Sequence, residues 1–115
     1  MDISTIQRDG VTVIGLPCNL DGTTSNEAQE KIMPLLVKEC CVVLDLGQCD
    51  YISSAGLRVL LMMAKSLGAS GGKLGLCGVS SEIRDIMDMT GFLDFFKIYD
   101  TVDGAVEGTL KEKKC

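Results

Sequence analysis

The spacing of apolar and polar positions changes several times along the chain, and each change marks an element. Ile3 to Gln7 and Val11 to Leu16 are short runs rich in β-branched residues, which predict two strands. Arg8-Asp9-Gly10 lies between them, and Asp-Gly is a strong hairpin signal. Leu20-Asp21-Gly22 breaks the chain. Thr24-Ser25-Asn26-Glu27 then has the form of a capping box, in which Thr24 and Glu27 satisfy each other's orphan amides. The helix that follows is expected to bury Ala28, Ile32, Leu35 and Leu36, and to kink or end early at Pro34, which removes a backbone donor.

Cys41-Val42-Val43-Leu44-Asp45-Leu46 predicts a central strand buried on both faces. From Ser53-Ser54 to about Leu67 the pattern is helical and apolar nearly all round, which predicts deep packing. Gly68-Ala69-Ser70-Gly71-Gly72 stops that helix. Such a loop has the glycines of a phosphate cradle but no Lys-Ser or Lys-Thr pair opening a helix, so it reads as a turn. Lys73 to Cys77 is the next strand. Ser80-Ser81-Glu82 starts a third helix, with Ile83, Ile86 and Met87 inward and Gly91 as its C-terminal cap. Phe95 to Tyr99 predicts the last strand, and Thr101 to Lys111 a final helix weakened by Gly104 and Gly108.

Two strands followed by alternating helix and strand predict an α/β fold. The economical architecture is a single mixed sheet of about five strands with about four helices packed on it, residues 1–115 forming one domain. Its parallel crossovers should be right-handed, and its site should lie beyond the carboxyl ends of the strands.

Composition narrows the function. Net charge is -5 and the basic residues are scattered apart from Lys111, Lys113 and Lys114, so nucleic acid and anionic membrane are poor partners. No Trp is present and only 2 Tyr and 3 Phe, which leaves few surfaces for stacking bases. The absence of His removes the usual general base and the commonest metal ligand. Cys18, Cys40, Cys41, Cys49, Cys77 and Cys115 form no C-x-x-C pair, so no metal or redox centre is expected and the thiols read as reduced, small hydrophobes. The N-terminus is not patterned as a signal peptide and no apolar run is long enough to span a bilayer. The expected location is the cytoplasm.

The chemistry concentrates where the central strand gives way to the serine helix, Asp45 to Leu57. A hydroxyl at the mouth of a helix sits beside free N–H groups, a place that tolerates added negative charge. Ala55 and Gly56 let another backbone approach and leave those amides unshielded. A phosphate there would add about 1.5 to 2 negative charges and three acceptor oxygens. Serine is also among the best N-caps, worth about 1 kcal/mol, so spacing alone leaves capping and phosphate acceptance both open for Ser53 and Ser54. Asp45, at a strand end, is expected to hydrogen-bond the adjacent loop.

Asp45-Leu46 with Tyr51-Ile52-Ser53-Ser54-Ala55-Gly56-Leu57-Arg58-Val59-Leu60 closely resembles the signature of the STAS domain, the family named for sulphate transporters and anti-sigma-factor antagonists. The likeness continues in Leu20-Asp21, in Gly71-Gly72-Lys73-Leu74, and in Met89-Thr90-Gly91-Phe92-Leu93 before Phe95-Phe96. In antagonists of this family the phosphorylated residue lies two before the glycine of the Gly-Leu pair. Gly56-Leu57 therefore implies Ser54 as the acceptor, with Ser53 the second choice. The chain departs from the pattern at Ser53, where aspartate is frequent, at Ala55, often Ser or Thr, and at Asn19, where glutamate is common.

The resemblance implies a binder and substrate, not an enzyme. Its partner would be an anti-sigma factor that is also a serine kinase and itself holds ATP and magnesium; a serine phosphatase would reset the cycle. The chain itself would need no cofactor, and Asp21, Ser53, Ser54, Ala55, Gly56, Leu57 and Arg58 would form the docking surface. The rival within the family is an accessory or ligand-binding module related to lipid or anion transport, without a phospho-switch. A small hydrolase lacks its histidine and its G-x-S-x-G elbow. A receiver-type module would need more acid at the strand ends than Asp45 and Asp50 supply.

Overall fold

The computed structural model describes residues 3–36, 41–69 and 71–112. Strand β1 (Ser4–Arg8) and strand β2 (Val11–Gly15) form the expected hairpin. Its turn needs two left-handed residues, and Asp9 (φ 53°) and Gly10 (φ 86°) supply them. Helix α1 (Thr24–Leu36), strand β3 (Cys41–Asp45), helix α2 (Ser54–Ala69), strand β4 (Lys73–Cys77) and helix α3 (Ser81–Met89) follow. A short 3-10 turn over Phe92–Phe95, strand β5 (Lys97–Tyr99) and helix α4 (Val102–Glu112) close the chain.

The five strands lie in chain order across one sheet. β1 is antiparallel to β2, and β2, β3, β4 and β5 are mutually parallel. Strand alternation divides the core in two. Ile14, Val42, Leu44 and Leu76 point to the side covered by α1, α2 and α3, where they meet Ala28, Ile32, Leu57, Leu60, Met63, Ile83 and Met87. Val11, Val13, Cys41, Val43 and Cys77 point to the other side and are covered by Ala105 and Val106 of α4. β3 is thus buried on both faces, as its apolar run predicts. The two glycines that weaken α4 as a helix have a packing use at one position: a Cβ on Gly108 would overlap the ring of Tyr99.

Four local expectations are corrected. The reciprocal cap of α1 joins Asp21 and Thr24, one turn earlier than Thr24 and Glu27. Ser25 N already bonds back to Asp21 O at 3.0 Å, which starts the helical turn there. In α1, which includes Pro34, Leu35 is 39% exposed rather than buried. α2 is not buried all round: Arg58, Met62, Lys65 and Ser66 are exposed along one side. Phe95 belongs to the 3-10 turn, so the last strand starts at Lys97. Gly91 ends α3 as expected, in the left-handed region at φ 79°. Cys18, Cys49 and Cys77 are free thiols and Cys41 is buried; Cys40 and Cys115, like Lys113 and Lys114, lie outside the described residues.

Candidate phosphoacceptor and docking site

β2 and β3 end side by side at Gly15 and Asp45, and the segments beyond them remain paired. Leu16 N donates to Asp45 O (3.2 Å), and Asp45 Oδ1 accepts from Gly47 N (2.9 Å), the loop-holding role expected of that carboxylate. Further on, Leu20 and Ile52 form an isolated parallel bridge. Leu20 N donates to Tyr51 O (3.2 Å) and Ser53 N donates to Leu20 O (2.8 Å). Asn19 Oδ1 accepts from Asp50 N (2.6 Å) and Tyr51 N (3.3 Å). Cys49 Sγ lies 2.7 Å from Cys18 O. Burial, with Cys18 close by, pushes the Cys49 thiol up to about 11, so at neutral pH it keeps the proton that this contact uses.

This pairing delivers the mouth of α2 to the surface, and there the two serines divide their work. Ser53 Oγ accepts from Gly56 N at 3.2 Å, while Leu57 N donates to Ser53 O at 2.9 Å. Ser53 is therefore the N-cap, half-buried. Ser54 is the first helical residue and is exposed, its hydroxyl making no hydrogen bond among the described residues. The amides of Ser54 and Ala55 stay open beside it. An anion on the Ser54 side chain would meet unpaired N–H groups and the positive end of a 16-residue helix.

Asp21, next in sequence to the Leu20 whose carbonyl accepts from Ser53 N, is the cap of α1. Its carboxylate accepts from Thr24 N (2.9 Å) and Thr23 N (2.8 Å), and Thr24 Oγ1 accepts from Asp21 N (2.8 Å). Those backbone bonds, Thr24 first, hold the Asp21 carboxyl below the ordinary 3.8. A carboxyl lowered in the folded chain stabilises it above its unfolded pKa, and that contribution fades as pH falls through the lowered value. Acid titration followed by NMR should therefore move the Thr23 and Thr24 amide resonances together with a midpoint below 3.8. Asp21→Asn should remove that transition and leave the fold.

Two residues of the expected docking surface face the wrong way. Leu57 is 1% exposed and belongs to the core under α2. Gly56 is buried, and a Cβ there would stand 2.7 Å from Ile52 Cγ1 and 2.8 Å from Leu20 Cβ. The backbone that the small residues admit is thus the chain's own. Arg58 is exposed one turn after Ser54 and on the same face by helical spacing. Two residues absent from the sequence-based set join this face. Tyr51 (51% exposed) precedes the mouth, and Met62 (39% exposed) lies a further turn past Arg58. The Ser54, Arg58, Met62 spacing of four was visible in the sequence. Among the described residues no group of His, Cys, Asp and Glu is placed to hold a metal, and no helix is long and apolar enough to cross a membrane.

The family model of the STAS domain matches residues 2–105. The chain belongs to the STAS domain family. Within it, the chain is 34% identical over 106 residues to BtrV of Bordetella bronchiseptica, named as a candidate anti-sigma factor antagonist, with 91% of each protein covered. It is 29% identical over 102 residues to the anti-sigma F factor antagonist of Paenibacillus polymyxa, with 87% of each covered. The STAS fold also superposes on the solved structure of an anti-sigma-factor antagonist (STAS) domain protein from Planctomyces limnophilus with a TM-score of 0.88. That alignment covers 96% of this chain and 99% of the other at 21% identity.

Proposed function

We propose that this STAS domain is an anti-sigma factor antagonist switched by phosphorylation of Ser54. Unphosphorylated, it binds an anti-sigma factor that is also a serine kinase and so frees a sigma factor for transcription. ATP and magnesium are bound by that partner. Phosphate on Ser54 releases the antagonist, and a serine phosphatase restores it. The chain supplies a surface and an acceptor hydroxyl, not catalysis.

The division of labour between the serines carries this reading. Ser53 Oγ is occupied as the helix cap, while the Ser54 hydroxyl is exposed and unbonded beside two open amides. A transferase can reach Ser54 without unfolding anything, and the product dianion lands at a helix end that favours it by a few tenths to about 1 kcal/mol. The added charge then stays on the surface as bulk and repulsion. Ala55 and Arg58 flank Ser54 by helical spacing, and Asp21 and the exposed Tyr51 complete the proposed docking surface.

The test is capture from the source cell's extract on the immobilised chain, with magnesium and ATP added, followed by phosphosite mass spectrometry. A kinase-type anti-sigma factor is expected on the wild-type bait, with phosphate on Ser54. Ser54→Ala is expected to retain that partner and to carry no phosphate. Phosphate found on Ser53 alone, or a bait that never acquires any, would remove the switch.

A further inference from the structure

The Asn19 side chain joins the two loops of the site by two hydrogen bonds, and its backbone carbonyl adds a third bond to the cap of α1. Its Oδ1 accepts from Asp50 N at 2.6 Å and from Tyr51 N at 3.3 Å. Its backbone carbonyl accepts from Thr24 Oγ1 at 2.7 Å. One residue on the β2–α1 segment therefore holds the β3–α2 loop on one side and the cap of α1 on the other. The residues it grips stand three and four positions before Ser54. Two backbone donors facing a single side-chain oxygen also settle which end of the amide points inward.

We infer that Asn19 is a positioning residue for phosphate transfer to Ser54, an inference that rests on the switch proposed above. The bridge between Leu20 and Ile52 and the contact of Cys49 Sγ with Cys18 O also join the two segments, but among the described residues no other side chain bonds the amides of Asp50 and Tyr51. Asp50 and Tyr51 are exposed, so without Asn19 water satisfies their amides and the fold survives. What is lost is the fixed path of the chain into the Ser53 cap, and with it a constant position of the Ser54 hydroxyl. A kinase that docks on this face and needs the hydroxyl in line would then bind a smaller fraction of competent chain. The chemistry of competent complexes would be untouched. Asn19 matters here through its oxygen, not through its amide nitrogen, so a carboxylate of the same length serves equally.

Amide hydrogen exchange on the isolated chain and steady-state phosphorylation by the anti-sigma kinase isolated on this chain test the inference together. Asn19→Ala should speed exchange at Asp50, Tyr51 and Gly56 about tenfold, leave exchange in β3 and β4 unchanged, and raise KM for Ser54 about tenfold with kcat preserved. Asn19→Asp should restore both, because it keeps the acceptor. Unchanged exchange at these amides, an unchanged KM, or a loss confined to global stability that Asn19→Asp does not rescue would overturn the inference. The exchange arm needs no kinase. If wild type takes no phosphate on Ser54, the proposed switch falls and the inference built on it falls too, while accelerated exchange would still mark Asn19 as the staple of this loop.

Discussion

Phosphorylated on Ser54, the chain is expected to bind its anti-sigma factor at least about a hundredfold more weakly than the unmodified form. On the proposed reading the partner covers the mouth of α2, where Ser54 is exposed and Arg58 is the base one turn on. An added dianion brought against a partner that carries a nucleotide costs several kcal/mol of like-charge repulsion and desolvation. Each ~1.4 kcal/mol is tenfold in affinity, so two decades need only about 2.7 kcal/mol. Arg58 does not cancel this, because an exposed pair recovers at most about 1 kcal/mol. Ser54→Asp adds a single charge with shorter reach and is expected to give about a tenfold loss, whereas Ser54→Ala should bind as wild type. Calorimetry of the three forms against the same partner decides it. Misfolding is not available as an explanation, since an acid in the first turn of a helix stabilises the free chain slightly. Equal affinity of wild type, Ser54→Asp and the phosphorylated form would show that charge at this position is not what the partner senses.

Much of the scaffold was readable because its signals are local. Asp9-Gly10 needs only its own two φ angles to make the hairpin, and Gly91 only its own to end α3. The apolar run 41–46 is buried on both faces because parallel strands in mid-sheet have no solvated side. The errors arose where two local codes compete. Asp21-x-x-Thr24 and Thr24-x-x-Glu27 both fit a reciprocal cap, and only the position of the first turn bond, from Ser25 N to Asp21 O, chooses between them. Phe95 and Phe96 continue an apolar run, yet the chain turns through Phe92–Phe95 before it can pair with β4.

The candidate site was legible as a place and not as an arrangement. The serine pair, the small residues after it and Asp21 are all in the sequence. Which serine caps depends on where the helix starts, and that is set by the bridge from Leu20 to Ile52, more than thirty residues apart in sequence. The Asn19 side chain bonds only residues more than thirty positions away, so its two bonds to Asp50 and Tyr51 were invisible. Reading Ser53 to Arg58 as one continuous docking surface also ignored the helix itself. Consecutive residues turn by about 100°, so when Ser54 and Arg58 face out, Leu57 cannot.

Gly56 is the position where the site and the fold make opposite demands on one residue, and Gly56→Ala should cost about 2 kcal/mol of stability. Helix propensity alone says the reverse: alanine inside a helix is better than glycine by about 1 kcal/mol. The surroundings decide. The new methyl would lie 2.7 Å from Ile52 Cγ1, 2.8 Å from Leu20 Cβ and 3.2 Å from Leu20 O. The last two are backbone or bonded directly to it, so the strain cannot be relieved by swinging a side-chain tip. It must move the Leu20 loop, and overpacking of that kind costs roughly 1–3 kcal/mol. The same helix carries its own control. Gly68 has nothing within 4 Å of a built Cβ, so Gly68→Ala should stabilise the chain by up to about 1 kcal/mol. Urea unfolding of both variants should therefore give shifts of opposite sign for one chemical change in one helix. The displaced Leu20 would also lengthen its bond from Ser53 N, so Gly56→Ala should lose anti-sigma factor affinity even where it remains folded, and Gly68→Ala should not. A Gly56→Ala chain as stable as Gly68→Ala would mean that Leu20 is free to retreat, and that the close contact beneath the serines does not hold the mouth of the helix in place.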